Sequence, residues 1–212
     1  MTTYTVKTIN IEKETVIPNH TEFCNRLGVN KNFDTSTFAG VIKGAYEKIK
    51  PVCIYTKVPV SFTDGDVCNL GFTSVKSLDL CKNLKGCNEA FVFAVTLGLD
   101  TERHLLTLSK TSSSRHFICD AYYSAFAEAV CDKAEEIIKG SLCCKARFSP
   151  GYGDLPLEMQ RDVLNVLDST KNAGITLTHS LLMTPQKSIT AILYLIDLQN
   201  LRFVKKVERL IK

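Results

Sequence analysis

No stretch of this chain approaches the roughly 20 consecutive apolar residues that a membrane-spanning helix needs. The opening residues, Met-Thr-Thr-Tyr-Thr-Val-Lys, hold no apolar core of the kind a secretory signal requires. These absences predict a cytoplasmic chain with no membrane association. Tryptophan is missing altogether, and charge of one sign is scarce, with a net charge of only +4. So mild an excess fits neither a dedicated nucleic-acid binder nor a polybasic membrane binder. Internal repeats, low-complexity tracts and linkers are also missing.

Common catalytic and metal-binding signatures are absent as well. The nine cysteines include no Cys-x-x-Cys pair. Cys81 and Cys87 are too widely spaced for a zinc knuckle. His116 and Cys119 sit one helical turn apart but lack a second pair to complete four ligands. No metal site is expected, and the thiols read as buried and free. An odd count with adjacent Cys143 and Cys144 and no export signal fits reduced thiols. Nine cysteines and four histidines leave a cysteine–histidine nucleophile unspecified. A Gly-x-Ser-x-Gly elbow does not occur. Val-Thr-Leu-Gly-Leu-Asp at 95–100 sits where a phosphate loop would, but with one glycine instead of three. No catalytic residue is assigned.

What is present suits one folded unit. The 212 residues are 45% apolar and 23% charged, enough to bury a proper core. Spacing predicts a helix over 35–50, with Phe38, Val41, Ile42, Ala45 and Ile49 on one face and Pro51 ending it. Ile54, Thr56, Val58, Val60 and Phe62 predict a strand over 53–62, and Asp64-Gly65 turns it into a returning strand at 67–75. A short helix is expected at 78–84 and a doubly buried central strand at 90–97. A helix at 101–108 leads into a polar stretch at 109–115. The clearest helix runs over 118–139, with Ile118, Tyr122, Ala125, Phe126, Ala129, Val130, Ala134, Ile137 and Ile138 as its apolar stripe and Gly140 as its stop. Beyond it are expected a strand at 142–146, a helix capped by Asp154 with Pro156 in its first turn and ending near Gly174, strands at 175–183 and 188–195, and a basic amphipathic helix from Arg202. Hairpins and crossovers together predict an α+β or α/β single domain, with a twisted mixed or antiparallel sheet flanked by helices. Residues 1–34 read as an N-terminal extension of the domain formed by 35–212.

Two features invite a ligand. Arg-Phe-Ser-Pro-Gly-Tyr-Gly at 147–153 joins a planar cation, a preset turn, two bare backbone positions and an aromatic ring. That suits a small zwitterion, although a type II turn capped by Arg147 explains the same pattern. Asp120, Glu128, Asp132 and Glu136 recur on one side of the long helix. A solvated face is the ordinary reading of that series, and Asp120 and Ser124 gain interest if the face lines a cleft.

Three blocks in this order and spacing resemble a known family. They are Arg-Phe-Ser-Pro-Gly-Tyr-Gly-Asp-Leu-Pro at 147–156, Gly-Ile-Thr-Leu-Thr-His-Ser at 174–180 and Met-Thr-Pro-Gln-Lys-Ser at 183–188. They resemble the S-adenosylmethionine-binding activation domain of cobalamin-dependent methionine synthase. Lys-Asn-Leu-Lys-Gly-Cys at 82–87 and Ala-Val-Thr-Leu-Gly at 94–98 are similar to its stand-alone members. The resemblance spans roughly residues 35–197 and implies a role in reactivation. S-adenosylmethionine gives a methyl group to cobalamin carried by a partner, a cobalamin-dependent methionine synthase or corrinoid protein. A flavodoxin-like donor supplies the electron. The chain is then a component of that system and not an enzyme on its own.

By the same resemblance, Arg147 holds the methionine carboxylate, backbone groups around Ser149 and Gly151 meet the adenosine, and Tyr152 lies near the sulfonium. Where the family carries an acid on the long helix this chain has Ser124, with Asp120 or Glu128 at hand to supply charge. A late tyrosine has Tyr194 as its approximate counterpart. No Asp-x-His-x-x-Gly motif is present to ligate cobalt. Two alternatives remain: a non-catalytic adaptor docking on a corrinoid protein, and, last, an ordinary methyltransferase, for which a glycine-rich loop and an acidic ribose contact are both wanting.

Overall fold

A computed structural model describes residues 4–140, 142 and 146–195. Its chain begins with strand β1 (Lys7–Asn10) and helix α1 (His20–Leu27), then a short 3-10 turn (Thr35–Phe38) leading into α2 (Ala39–Lys48). β2 (Val52–Pro59) follows, then a small meander of β3 (Ser61–Asp64), β4 (Val67–Asn69) and β5 (Ser74–Lys76). α3 (Leu78–Leu84), β6 (Glu89–Thr96), α4 (Leu99–Thr111) and the long α5 (Ser113–Lys139) come next. The chain continues through α6 (Met159–Val166), α7 (Ser169–Ala173), β7 (Thr176–Leu177), β8 (Met183–Thr184) and β9 (Ser188–Tyr194).

The main sheet has the order β1-β2-β6-β9, and every pairing in it is antiparallel. The fold is therefore α+β, with helices flanking antiparallel sheets. Because strand side chains alternate, the sheet divides the interior in two. Cys53, Phe93, Val95, Ala191 and Leu193 face α1, α2, α4 and α5. Ile54, Val58, Val92, Ala94 and Ile192 face α3, α6 and the meander. β6 lies between β2 and β9 and is buried on both faces, as its unbroken apolar run predicts. β1 adds the first edge and α1 packs on α5, so the segment before residue 35 belongs to the same core.

The long helix buries most of its predicted stripe, but Ile118 and Ala129 are half-buried and Ile137 is exposed. It begins earlier than expected. Ser112 accepts from the Arg115 N–H as an N-cap, so helix occupies most of the stretch read as polar loop. No helix among the described residues is long and apolar enough to cross a membrane.

Other corrections have local causes. The 53–62 strand breaks after Pro59, and its return divides at a turn where Leu70 N–H donates to Thr73 O at 2.9 Å. The helix ending at Gly174 is two helices, separated at Asp168, whose φ of +43° is left-handed. Asp154 does not cap it. Its carboxylate instead accepts from Ser77 Oγ and from the N–H groups of Leu78 (2.7 Å) and Asp79 (3.2 Å) at the start of α3. The expected strand at 175–183 is a β7–β8 hairpin around residues 178–182. The expected strand at 142–146 and the basic helix from Arg202 fall mainly or wholly outside the described residues.

Candidate functional site

The 147–153 segment is held against the main sheet by its first residues. Phe148 N–H donates to Ile192 O at 2.9 Å and Ile192 N–H donates to Phe148 O at 2.8 Å, a single bridge beside β9. Alternation then sends Phe148 to the α3–α6 side and Arg147 to the α5 side. Next, Tyr152 N–H donates to Ser149 O at 3.1 Å, with Pro150 and Gly151 as the central pair and Gly151 at φ +87°. That geometry is the type II turn that Pro-Gly suggests. Arg147 does not cap the turn. It reaches away from it.

The guanidinium enters a line of acids on α5. Nη1 lies 2.6 Å from Asp132 and 2.9 Å from Glu135, and Nη2 lies 3.1 Å from Glu128. Further along the helix, Lys187 Nζ lies 2.7 Å from Asp120 and donates to Ser124 Oγ at 2.8 Å. Lys139 also pairs with Glu135. Four carboxylates thus face three cations. Asp120, Ser124, Glu128 and Asp132 are four residues apart, and each such step rotates about 40° around the axis. The inward acid after Asp132 is Glu135, because Glu136 has rotated outward to Lys133. This face is accordingly not a merely solvated one.

Burial disfavours the Arg147 charge, but the field of Cys131 and hydrogen bonds to Glu135 and Asp132 more than offset it, so its pKa lies above the ordinary value. Burial also opposes the Glu135 carboxylate, yet hydrogen bonds from Lys139 and Arg147 prevail and hold its pKa below the usual range. Cys131, beneath the cluster, is pushed up to about 12 by burial. All seven described cysteines with an assigned state are buried and free, as expected.

Between the turn and α5 lies a cavity of about 370 Å³, within the usual range for small-molecule sites. Glu128, Glu135, Arg147, Ser149 and Tyr152 line it, with Phe148 and Ile189 as apolar wall. Three of the sequence-chosen residues, Arg147, Ser149 and Tyr152, therefore converge. Tyr152 is 64% exposed at the rim. Gly151 shapes the turn without lining the cavity, and its N–H is committed to Leu155 O at 3.0 Å. Asp120 and Ser124 sit outside the cavity wall, held by Lys187. Tyr194 is also remote, buried in the opposite core with its hydroxyl unpartnered. Sequence reasoning missed Glu135 and Lys187. Helical phase points to the first, and the second stands inside the Pro-Gln-Lys-Ser block.

No protein-family model matches the chain, and no curated protein matches it. Among solved structures, the crystal structure of the MetH reactivation domain bound to AdoHcy matches with a TM-score of 0.69. The match covers 91% of this chain and 78% of that one, at 15% identity. The fold is that of a reactivation domain. In this chain that fold sets Arg147 in contact with Glu128 and Glu135 in the lining of one cavity.

Proposed function

We propose that the chain is a stand-alone activation module that binds S-adenosylmethionine between Arg147 and α5. There it supports reductive remethylation of cob(II)alamin on a cobalamin-dependent methionine synthase or related corrinoid methyltransferase. The observation that carries this reading is a cavity with one guanidinium and an excess of carboxylates, set in a reactivation-domain fold. S-adenosylmethionine has two cationic centres, ammonium and sulfonium, and one carboxylate. A wall of acids broken by one arginine complements that pattern.

Each residue has a part. Arg147 exchanges one of its carboxylates for that of the ligand. Glu128, released by the exchange and already on the cavity wall, takes the ammonium group, filling the role that Ser124 cannot. Tyr152 offers its ring face to the sulfonium. Ser149 contacts the adenosine from the turn. S-adenosylmethionine supplies the methyl group, the partner supplies cobalamin, and a flavodoxin-like donor supplies one electron. The protein contributes position and charge. It works as a component of the synthase, in the cytoplasm.

The test is reactivation in trans. A methionine synthase fragment carrying cob(II)alamin and lacking its own activation domain is mixed with this protein, S-adenosylmethionine and reduced flavodoxin. Methylcobalamin should form, by its absorbance, only when every component is present. Formation at the same rate without this protein, or none with it, contradicts the proposal.

A second reading, the adaptor without ligand, draws support from the state of Arg147, already engaged by three carboxylates. Capture of a cobalamin-binding module that is equal with and without S-adenosylmethionine, together with no ligand binding, would favour it.

A further inference from the structure

A second cavity, of about 450 Å³, opens among α2, α4 and α5. It is lined near the start of α5, by Arg115 and Cys119, whereas the first cavity meets α5 at Glu128 and Glu135. The nearest lining residues of the two on α5, Cys119 and Glu128, are nine residues apart, about 14 Å along the axis. The two cavities are separate.

His104 on α4 is the fixed point of this second site. The Tyr123 hydroxyl donates to Ala45 O at 3.1 Å, which commits its only proton. The 2.7 Å contact between that hydroxyl and His104 Nδ1 then requires Nδ1 to be the protonated nitrogen. Nε2, across the ring, keeps its lone pair for the cavity. Burial, and secondarily the charge of Lys48, lower the His104 pKa, so the ring is a neutral acceptor at neutral pH.

Arg115 supplies the complementary charge. It lines the cavity and makes no ion pair among the described residues. Apart from Thr37, the rest of the site is open and apolar. A Cβ added at Gly40 or Gly44 of α2 would meet nothing within 4 Å, and Val41, Leu108 and the Cys119 thiol complete the wall. Burial pushes that thiol up to about 11, so it stays uncharged.

We propose that this cavity binds a small carboxylate that also carries a hydroxyl or N–H donor on a short apolar body. Arg115 pairs with the carboxylate through its planar fork. His104 Nε2 accepts from the donor, and Val41 and Leu108 cover the body. Tyr123, which orients His104, and Arg115 are eight residues apart on α5, about 12 Å along the axis. The cavity of about 450 Å³ leaves room for a ligand about one ring long.

4-Hydroxybenzoate is the probe, followed by saturation-transfer NMR and calorimetry on the full chain. Benzoate lacks the donor and 4-hydroxybenzamide lacks the charge. Each should bind about tenfold more weakly, as for one lost hydrogen bond to a charged or buried partner. R115Q on the exposed rim should reproduce the loss seen with 4-hydroxybenzamide. G44L, which projects an alkyl group into the open space, should abolish binding while circular dichroism stays unchanged. S-adenosylhomocysteine binding serves as a control for the first cavity and should be untouched by both variants, and the probe series reads the second cavity whether or not that ligand binds. Equal binding of the three probes, undiminished binding by R115Q, or no binding by wild type at millimolar probe would overturn the proposal.

Discussion

Glu128 Oε2 lies 3.1 Å from Nη2 of Arg147, on the wall of the cavity that also holds Ser149 and Tyr152. In the proposed site, a ligand carboxylate arriving at Arg147 would displace this contact and leave Glu128 placed for the ligand's ammonium group. Glu128→Ala is expected to weaken S-adenosylmethionine binding about tenfold, the loss of one charge-assisted hydrogen bond. Titration calorimetry checks this, and an unchanged affinity would remove Glu128 from the site.

Asp132→Ala should act in the opposite direction. Asp132 is 2.6 Å from Arg147 but 69% exposed, and it does not line the cavity. Such an exposed pair is worth about 0–1 kcal/mol. Its removal leaves Nη1 held by Glu135 alone and takes away no ligand contact, so affinity should rise, by up to about fivefold. A weaker complex in the same titration would contradict that role.

These opposed signs rest on which acids face Arg147, and the sequence shows that only in part. The stripe of α5 and the apolar run of β6 are legible because each follows one period throughout. The break at Asp168 has no glycine or proline to announce it. The hairpin within 175–183 is hidden by strand-favouring residues, while Thr178 Oγ1 accepts from Leu182 N–H at 3.0 Å and turns the chain. At the site, Arg147, Ser149 and Tyr152 are readable as a compact loop. Their partners on α5 depend on how the helix is rotated against that loop, which tertiary packing decides.

Gly98 tests the fold independently of any ligand. It precedes α4 with φ 92° and ψ 162°, a region almost confined to glycine, and a Cβ there would lie 3.1 Å from Lys50 O. Gly98→Ala should cost about 1–3 kcal/mol. Thermal unfolding should move down by several degrees, and an unchanged midpoint would contradict the strained geometry.

Tyr123→Phe removes the hydroxyl between His104 and Ala45 O. The Ala45 carbonyl, near the end of α2, then loses a buried partner, at a cost of about 1–3 kcal/mol. Urea denaturation should show the lower midpoint with the slope unchanged.

Acid should weaken the protein partly through Glu135. Its folded-state pKa lies below its unfolded value of about 4.3, so its contribution is fully present above that value and is lost as pH falls through the folded pKa. Glu135→Gln should therefore be less stable than wild type at neutral pH and show a shallower acid decline, the two curves converging at low pH. Denaturant midpoints measured across that range check this, and parallel curves would contradict it.

The central claim is that Arg147 anchors an S-adenosylmethionine site, and calorimetry on wild type and Arg147→Ala tests it most directly. Wild type should bind, and the variant, with its fold verified by circular dichroism, should lose about 1.5–3 kcal/mol of binding free energy. Equal binding by the two proteins, or no binding by wild type at millimolar ligand, would contradict the account.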